Sequence, residues 1–157
     1  MIRLRPMNED EFADYMKSSI QAYAQGHVEA GNADPAEALR FAEADYKRLL
    51  PDGISSPHQH LLTVVEESSG SRAGMVWFAA GERGKPDNAF IYDLQIEPDF
   101  RRRGYGEAAM KEVESQVRKL GASRIALHVF GHNHGARDLY EKLGYDITSI
   151  GMLKQLR

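Results

Sequence analysis

No cysteine occurs among the 157 residues. That absence excludes disulfides, cysteine-ligated zinc and a thiol nucleophile supplied by this chain, and it fits a reducing compartment without requiring one. No apolar run approaches the roughly 18 residues that a membrane-spanning helix needs. The opening residues, MIRLRPMNEDEF, carry no hydrophobic signal core. Neither sign of charge dominates: 20 basic and 23 acidic side chains leave a net charge of −3. Nothing global therefore draws the chain to nucleic acid or to an anionic membrane, and any anion site has to be local. Internal repeats, low-complexity segments and interdomain linkers are missing too. The reading is one soluble, cytoplasmic domain over residues 1–157, long enough for a sizeable core.

What is present is hydrophobic periodicity that changes along the chain. Residues 2–5, IRLR, alternate as a half-buried strand does. Asn8 and Glu11 have the spacing of a capping box, and Phe12, Met16, Ile20 and Tyr23 then recur at helical spacing until Gly26 and Gly31 interrupt them. Asp34, Pro35 and Glu37 open a second helix whose stripe is Leu39, Ala42, Tyr46 and Leu49. Pro51 and Gly53 stop it. Strands are expected at residues 60–67, 74–80 and 89–97, forming an antiparallel meander.

The last third alternates differently. A helix over about residues 104–120 shows Ala109, Val113 and Val117 on one face, with Glu107–Lys111 and Glu114–Arg118 as i,i+4 pairs. A strand at 124–130 and a short helix capped by Asn133 follow. That helix carries Ala136, Leu139, Tyr140 and Leu143, and Gly144 closes it. YDITSIGMLKQL offers one or two last strands. Residues 89–130 form a β-α-β unit, which calls for a parallel pair and a right-handed crossover. The expected class is α/β, an α+β mixed sheet.

Within that unit stands DFRRRGYGEAAM, residues 99–110. Three arginines and Gly104-Tyr105-Gly106 fill the turn between an apolar strand and a helix. The first N–H groups of a helix lack partners and sit at the positive end of its dipole. Glycines allow close backbone approach to phosphate, and arginine matches phosphate oxygens in bidentate fashion. The turn reads as a pyrophosphate site.

RRRGYG also resembles the Arg/Gln-x-x-Gly-x-Gly/Ala signature of the GNAT superfamily of acyl-CoA-dependent N-acyltransferases. Arg101, Gly104 and Gly106 fill its positions. Downstream, LHVFGHNHGARDLYEKLGY is similar to the second signature of that family, with Asn133, Ala136, Tyr140, Glu141, Lys142, Gly144 and Tyr145 in place. The resemblance is specific from about residue 89 to 145.

The resemblance implies a mostly antiparallel N-terminal sheet and splayed central parallel strands flanked by helices. It implies acetyl-CoA as co-substrate, an amine as acceptor and no metal. The pyrophosphate would lie on Arg101, Arg102, Arg103, Gly104, Tyr105 and Gly106. The backbone of Leu94, Gln95 and Ile96 would receive the pantetheine arm, beside a strand bulge that the residues do not reveal. Asn133 would touch the same arm. Tyr140 would protonate the departing thiolate, although its place on the apolar stripe also suits a core aromatic. The acceptor pocket would be shaped by the first two helices, the loop at 81–88 and the C-terminal strands. A homodimer is also in keeping with the family.

The general base is open. Asp93 is the one charge in the apolar run 89–94, and a carboxylate there needs a partner or a task. It also occupies a position where relatives carry an acidic residue. Glu97 and Glu66 are weaker candidates, expected to be solvated at strand ends. The histidines of HQH (58–60) and HNH (132–134) read as surface loop residues, because no carboxylate or cysteine completes a metal site.

Two other functions stay in view. GYGEAA also satisfies Gly-x-Gly-x-x-Ala, so an NAD(P)-binding oxidoreductase is an alternative. Only the last third of the chain follows it, however, and no acidic residue ends the next strand. A non-catalytic acyl-CoA-binding sensor is the other.

Overall fold

The computed structural model describes residues 1–81 and 87–156. The expected acceptor loop falls largely on residues 82–86 and so lies outside the described residues. Five strands form one sheet in sequential order. They are β1 (Ile2–Pro6), β2 (Gln59–Glu66), β3 (Arg72–Ala79), β4 (Asn88–Ile96) and β5 (Arg124–Leu127). β1 to β4 run antiparallel, and β5 lies parallel to β4. Helices α1 (Glu9–Glu29) and α2 (Pro35–Leu49) cover one face of the sheet; α3 (Tyr105–Lys119) and α4 (His134–Lys142) cover the other. This is the mixed α/β architecture expected from the sequence.

Alternation along the strands feeds two cores. Trp77 and Met75 point toward α1 and α2, where Tyr15, Tyr46 and Leu50 meet them. Val76 and Phe78 point the other way, onto Met110, Val113 and Val117 of α3. Trp77 and Phe78 are essentially inaccessible, and burial of each such side chain is worth about 1.5–3 kcal/mol.

Local chemistry fixes the helix starts. Asn8 Oδ1 accepts from the Glu11 N–H at 2.8 Å while Glu11 Oε1 accepts from the Asn8 N–H at 3.0 Å, a complete capping box. Asp34 caps α2 through the Glu37 N–H at 3.0 Å. Asn133 caps α4 through the Ala136 N–H at 3.3 Å.

Four expectations are corrected. Gly26 does not end α1, which runs on to Glu29; a Cβ at Gly26 would lie 2.5 Å from Cε2 of Phe130, so the glycine lets the helix ride over that ring. β5 stops at Leu127, because residues 128–130 turn away to pack His128 and Phe130 near the end of α1. Glu114 receives the Tyr145 hydroxyl at 3.2 Å and forms no ion pair with Arg118; Glu107 does pair with Lys111, at 3.1 Å. Residues 146–156 form no strand and pair with none of β1 to β5.

Candidate active site

β4 and β5 begin as a parallel pair and then part. Their register runs from Asn88 opposite Arg124 to Ile91 opposite Leu127 and goes no further. At the same level the β3–β4 ladder slips: Trp77 faces Asp93 while Phe78 faces Ile91, leaving Tyr92 as an extra residue. Such a bulge bends its strand and increases its twist. β4 continues through Leu94, Gln95 and Ile96, held by β3 on one side only. The outcome is a cleft between Leu94–Ile96 and the chain after Leu127.

Ile96 leads through a 3-10 turn (Pro98–Phe100) to the start of α3. Here the cap differs from those of the other α-helices. Gly104 sits at the N-cap with φ of 78° and offers no side-chain acceptor. The Ala108 N–H reaches the Gly104 carbonyl, while the N–H groups of Tyr105, Gly106 and Glu107 have no partner among the described residues. Unpartnered amides at the positive end of a helix dipole are what an anion needs. Arg102 shares the left-handed backbone, with φ of 63°, and its side chain is exposed.

The other side chains of the turn are more committed than expected. Arg101 Nε donates to the Ile96 carbonyl at 2.9 Å, tying the turn to β4. Arg103 and the Tyr105 hydroxyl both reach Glu66, at 3.1 and 2.5 Å. Glu66 is therefore not a solvated strand end: Tyr105, then Ser69 and Arg103, hold its carboxyl below the usual carboxylate range. Gly106 has ordinary helical backbone; a Cβ there would lie 3.3 Å from Leu139 of α4, so this position serves the approach of α3 to α4. Glu97 lies 3.5 Å from Arg72.

Asp93 lies on β4 just past the bulge, with its carboxyl directed to α1. It is closely surrounded by protein atoms yet still reached by solvent. Its Oδ2 accepts from the Tyr15 hydroxyl at 2.8 Å and from Gln95 Nε2 at 2.8 Å. Burial pushes the carboxyl above its ordinary value, and the hydrogen bonds from Tyr15, Gln95 and the Leu94 N–H oppose that shift. Gln95 also lies 3.4 Å from Ser19 Oγ. Tyr15 and Ser19 were not singled out from the sequence. They lie one turn apart on α1, and a polar pair at that spacing was the available signal.

Tyr140 projects from α4 into the core beneath α3, half-buried, with its ring 5.8 Å from that of Tyr145. Its hydroxyl has no hydrogen-bond partner among the described residues. Burial first, and the negative charge of Asp93 second, push its pKa up to about 12, so it holds its proton at neutral pH. His58, His132 and His134 are exposed as expected, and His60, half-buried on β2, is not. His60 stacks on Phe78 at 4.8 Å, and His132 lies 3.1 Å from Glu29. Among the described residues no three His, Asp or Glu side chains group as a metal site would need.

The Acetyltransferase (GNAT) family model matches residues 18–145. The chain belongs to the GNAT acetyltransferase family. It is 35% identical over 153 residues to the uncharacterized N-acetyltransferase YdgE of Bacillus subtilis, covering 98% of this chain and 97% of that one. A crystal structure of the putative acetyltransferase YycN from Bacillus subtilis superposes with a TM-score of 0.92 at 34% identity, over 100% of this chain and 99% of that one. The PaiA N-acetyltransferase of Thermoplasma acidophilum, solved in complex with coenzyme A, shares the fold, with a TM-score of 0.66 at 16% identity over 96% of this chain and 93% of that one. This GNAT protein is thus an acetyl-CoA-dependent N-acetyltransferase. The oxidoreductase alternative gains no support: a doubly wound dinucleotide fold needs a parallel sheet, and among the described residues only the β4–β5 pair is parallel.

Proposed function

We propose that acetyl transfer takes place in the cleft between β4 and β5, with Asp93 as the base and Tyr140 as the acid. The open start of α3 suits the pyrophosphate of the co-substrate: its amides are unpartnered and Gly104 leaves their approach clear. Gly104, Tyr105 and Gly106 would hold it through backbone groups, with Arg102 adding charge. Arg101 and Arg103 would shape the turn rather than bind. The free edge of Leu94, Gln95 and Ile96 would receive the pantetheine arm, and Asn133, at the start of α4, would touch the same arm.

Acetyl-CoA, when bound, supplies the activated acyl group. An acceptor amine attacks only when neutral, whereas an alkyl ammonium has a pKa near ~10.4. Asp93 would take that proton, directly or through water. Its raised pKa makes it a stronger base than an exposed aspartate, and Tyr15 with Gln95 fixes its orientation. Tyr140 would deliver a proton to the departing sulfur, which its free hydroxyl and high pKa equip it to do. The acceptor is an amine of a small molecule, a peptide or a protein.

The single observation that carries this reading is the setting of Asp93: a carboxylate just past the bulge of β4, closely surrounded by protein and held by the Tyr15 hydroxyl and Gln95 Nε2 at 2.8 Å each. The test is steady-state kinetics of Asp93→Asn and Tyr140→Phe with a responsive amine. Each should lower kcat by about 10²–10⁴-fold while the affinity for acetyl-CoA changes little. Full turnover in both variants would remove the assignment.

A further inference from the structure

The two arms of the cleft are not held together by the sheet. The β4–β5 ladder ends at Ile91 and Leu127, and residues 128–133 belong to no strand. What spans the gap is α1. In its middle it holds the β4 arm: the Tyr15 hydroxyl donates to Asp93 at 2.8 Å, and Gln95 Nε2 lies 3.4 Å from Ser19 Oγ. Near its end it holds the other arm, through the ring of Phe130.

The seat of that ring is specific. A Cβ at Gly26 would lie 2.5 Å from Cε2 and 2.9 Å from Cδ2 of Phe130, so the ring rests directly on the helix backbone. His27 meets it edge-on at 4.9 Å, and Tyr23 lies 6.3 Å away. His132 stacks on the ring with 5.4 Å between centroids and 10° between planes, and its Nε2 lies 3.1 Å from Glu29 of α1. Glycine within a helix is disfavoured; here it makes room for one aromatic ring.

The seat is also coupled to the residues placed in the chemistry. The Asn133 N–H donates to the Phe130 carbonyl at 2.9 Å. Asn133 in turn caps α4 through the Ala136 N–H, and α4 carries Tyr140. A displacement of Phe130 is thereby passed to Asn133 and to the helix that bears Tyr140. Ser19 and Gly26 are two helical turns apart, about 10 Å along the axis. Paired strands lie about 4.8 Å apart. The two arms are therefore held at about two strand spacings, which leaves room for one extended chain between them.

We propose that Phe130 is a positioning residue for acetyl transfer: seated over Gly26, it makes α1 a spacer that sets the width of the β4–β5 cleft. It acts through Asn133 and α4, not by contact with the reacting atoms. The proposal rests on the cleft being the site of acetyl transfer, and its test separates the two.

The test compares coenzyme A with its adenine-nucleotide fragment, which keeps the pyrophosphate and lacks the pantetheine arm. Both are titrated by calorimetry into the full chain, unmodified and as Phe130→Ala, Phe130→Leu and Gly26→Ala. The unmodified protein should bind coenzyme A more tightly than the fragment, because only coenzyme A fills the cleft. Phe130→Ala should lose most of that advantage, about tenfold or more in Kd, with the affinity for the fragment unchanged. Phe130→Leu, which refills the seat, should restore most of it. Gly26→Ala, which displaces the ring without removing it, should lose it as Phe130→Ala does. In steady state Phe130→Ala should also raise KM for acetyl-CoA and lower kcat by up to about 10²-fold. Variants that lower Tm yet keep the full advantage of coenzyme A over the fragment would overturn the proposal, since a merely structural ring would behave so. Equal binding of the two ligands by the unmodified protein would overturn the cleft reading itself, and this proposal with it.

Discussion

Asp93 is a structural side chain for which we propose a chemical role. The sequence marks it as the lone charge in an apolar run, and such a carboxylate needs partners. The structure supplies Tyr15 and Gln95 as donors and still leaves the carboxyl raised by burial. As the proposed base, Asp93 would act in its ionised form. Activity is then full above its raised pKa and falls as pH drops through it. Tyr15→Phe removes a hydrogen bond that favours the ionised form, so the acid limb of kcat/KM should move to higher pH. A pH–rate profile checks this, and an unmoved limb would exclude Asp93 as the titrating group. Asp93 was legible because its anomaly is local. Tyr15 was not, because its role depends on a contact 78 positions away in the chain.

Among the elements, the caps were readable and the departures from regularity were not. Asn8 with Glu11, and Asp34 with Glu37, act within one turn, so spacing alone reveals them. The Asn8–Glu11 box is reinforced by Arg5, whose hydrogen bond to Glu11 at 2.8 Å is the main cause of a Glu11 pKa lowered to about 2. A depressed carboxyl stabilises the fold above its unfolded pKa, and that contribution is lost as pH falls from about 4.5 toward about 2. Glu11→Gln should therefore cost about 1 kcal/mol at pH 7 and nothing near pH 2, as thermal unfolding at the two pH values would show. Gly26 is the converse case. A glycine within a helical pattern reads as a break, and only the Phe130 ring explains why the helix continues. Alanine has better helix propensity by about 1 kcal/mol. Its Cβ would meet a ring hemmed by His27 and His132, and such overpacking costs about 1–3 kcal/mol. The clash should win: Gly26→Ala is expected to lower Tm by several degrees, whereas a rise would mean that the ring moves aside freely. The bulge at Tyr92 was likewise invisible, since a slip in register is a property of two strands and not of one.

At the scale of the whole molecule, two separated signatures were enough to place the chain in its family, and the order of elements agreed without being distinctive. What they could not reveal is what crosses between elements: the cleft that opens where β4 leaves β5 and the commitment of Arg103 and Tyr105 to Glu66. The anion site belongs here too, because it needs a strand end, a left-handed turn and a helix start in one place. Among the described residues α1, α2 and α4 each have one early amide satisfied by a side-chain cap, whereas α3 has no such cap and leaves the amides of Tyr105, Gly106 and Glu107 all open. The account depends on those amides being the seat of the co-substrate pyrophosphate. Titration of isotope-labelled protein with coenzyme A, followed by backbone amide NMR shifts, tests this most directly. The amides of Tyr105, Gly106 and Glu107 should move most, together with those of Leu94, Gln95 and Ile96. Saturable binding that leaves the start of α3 unmoved would contradict it.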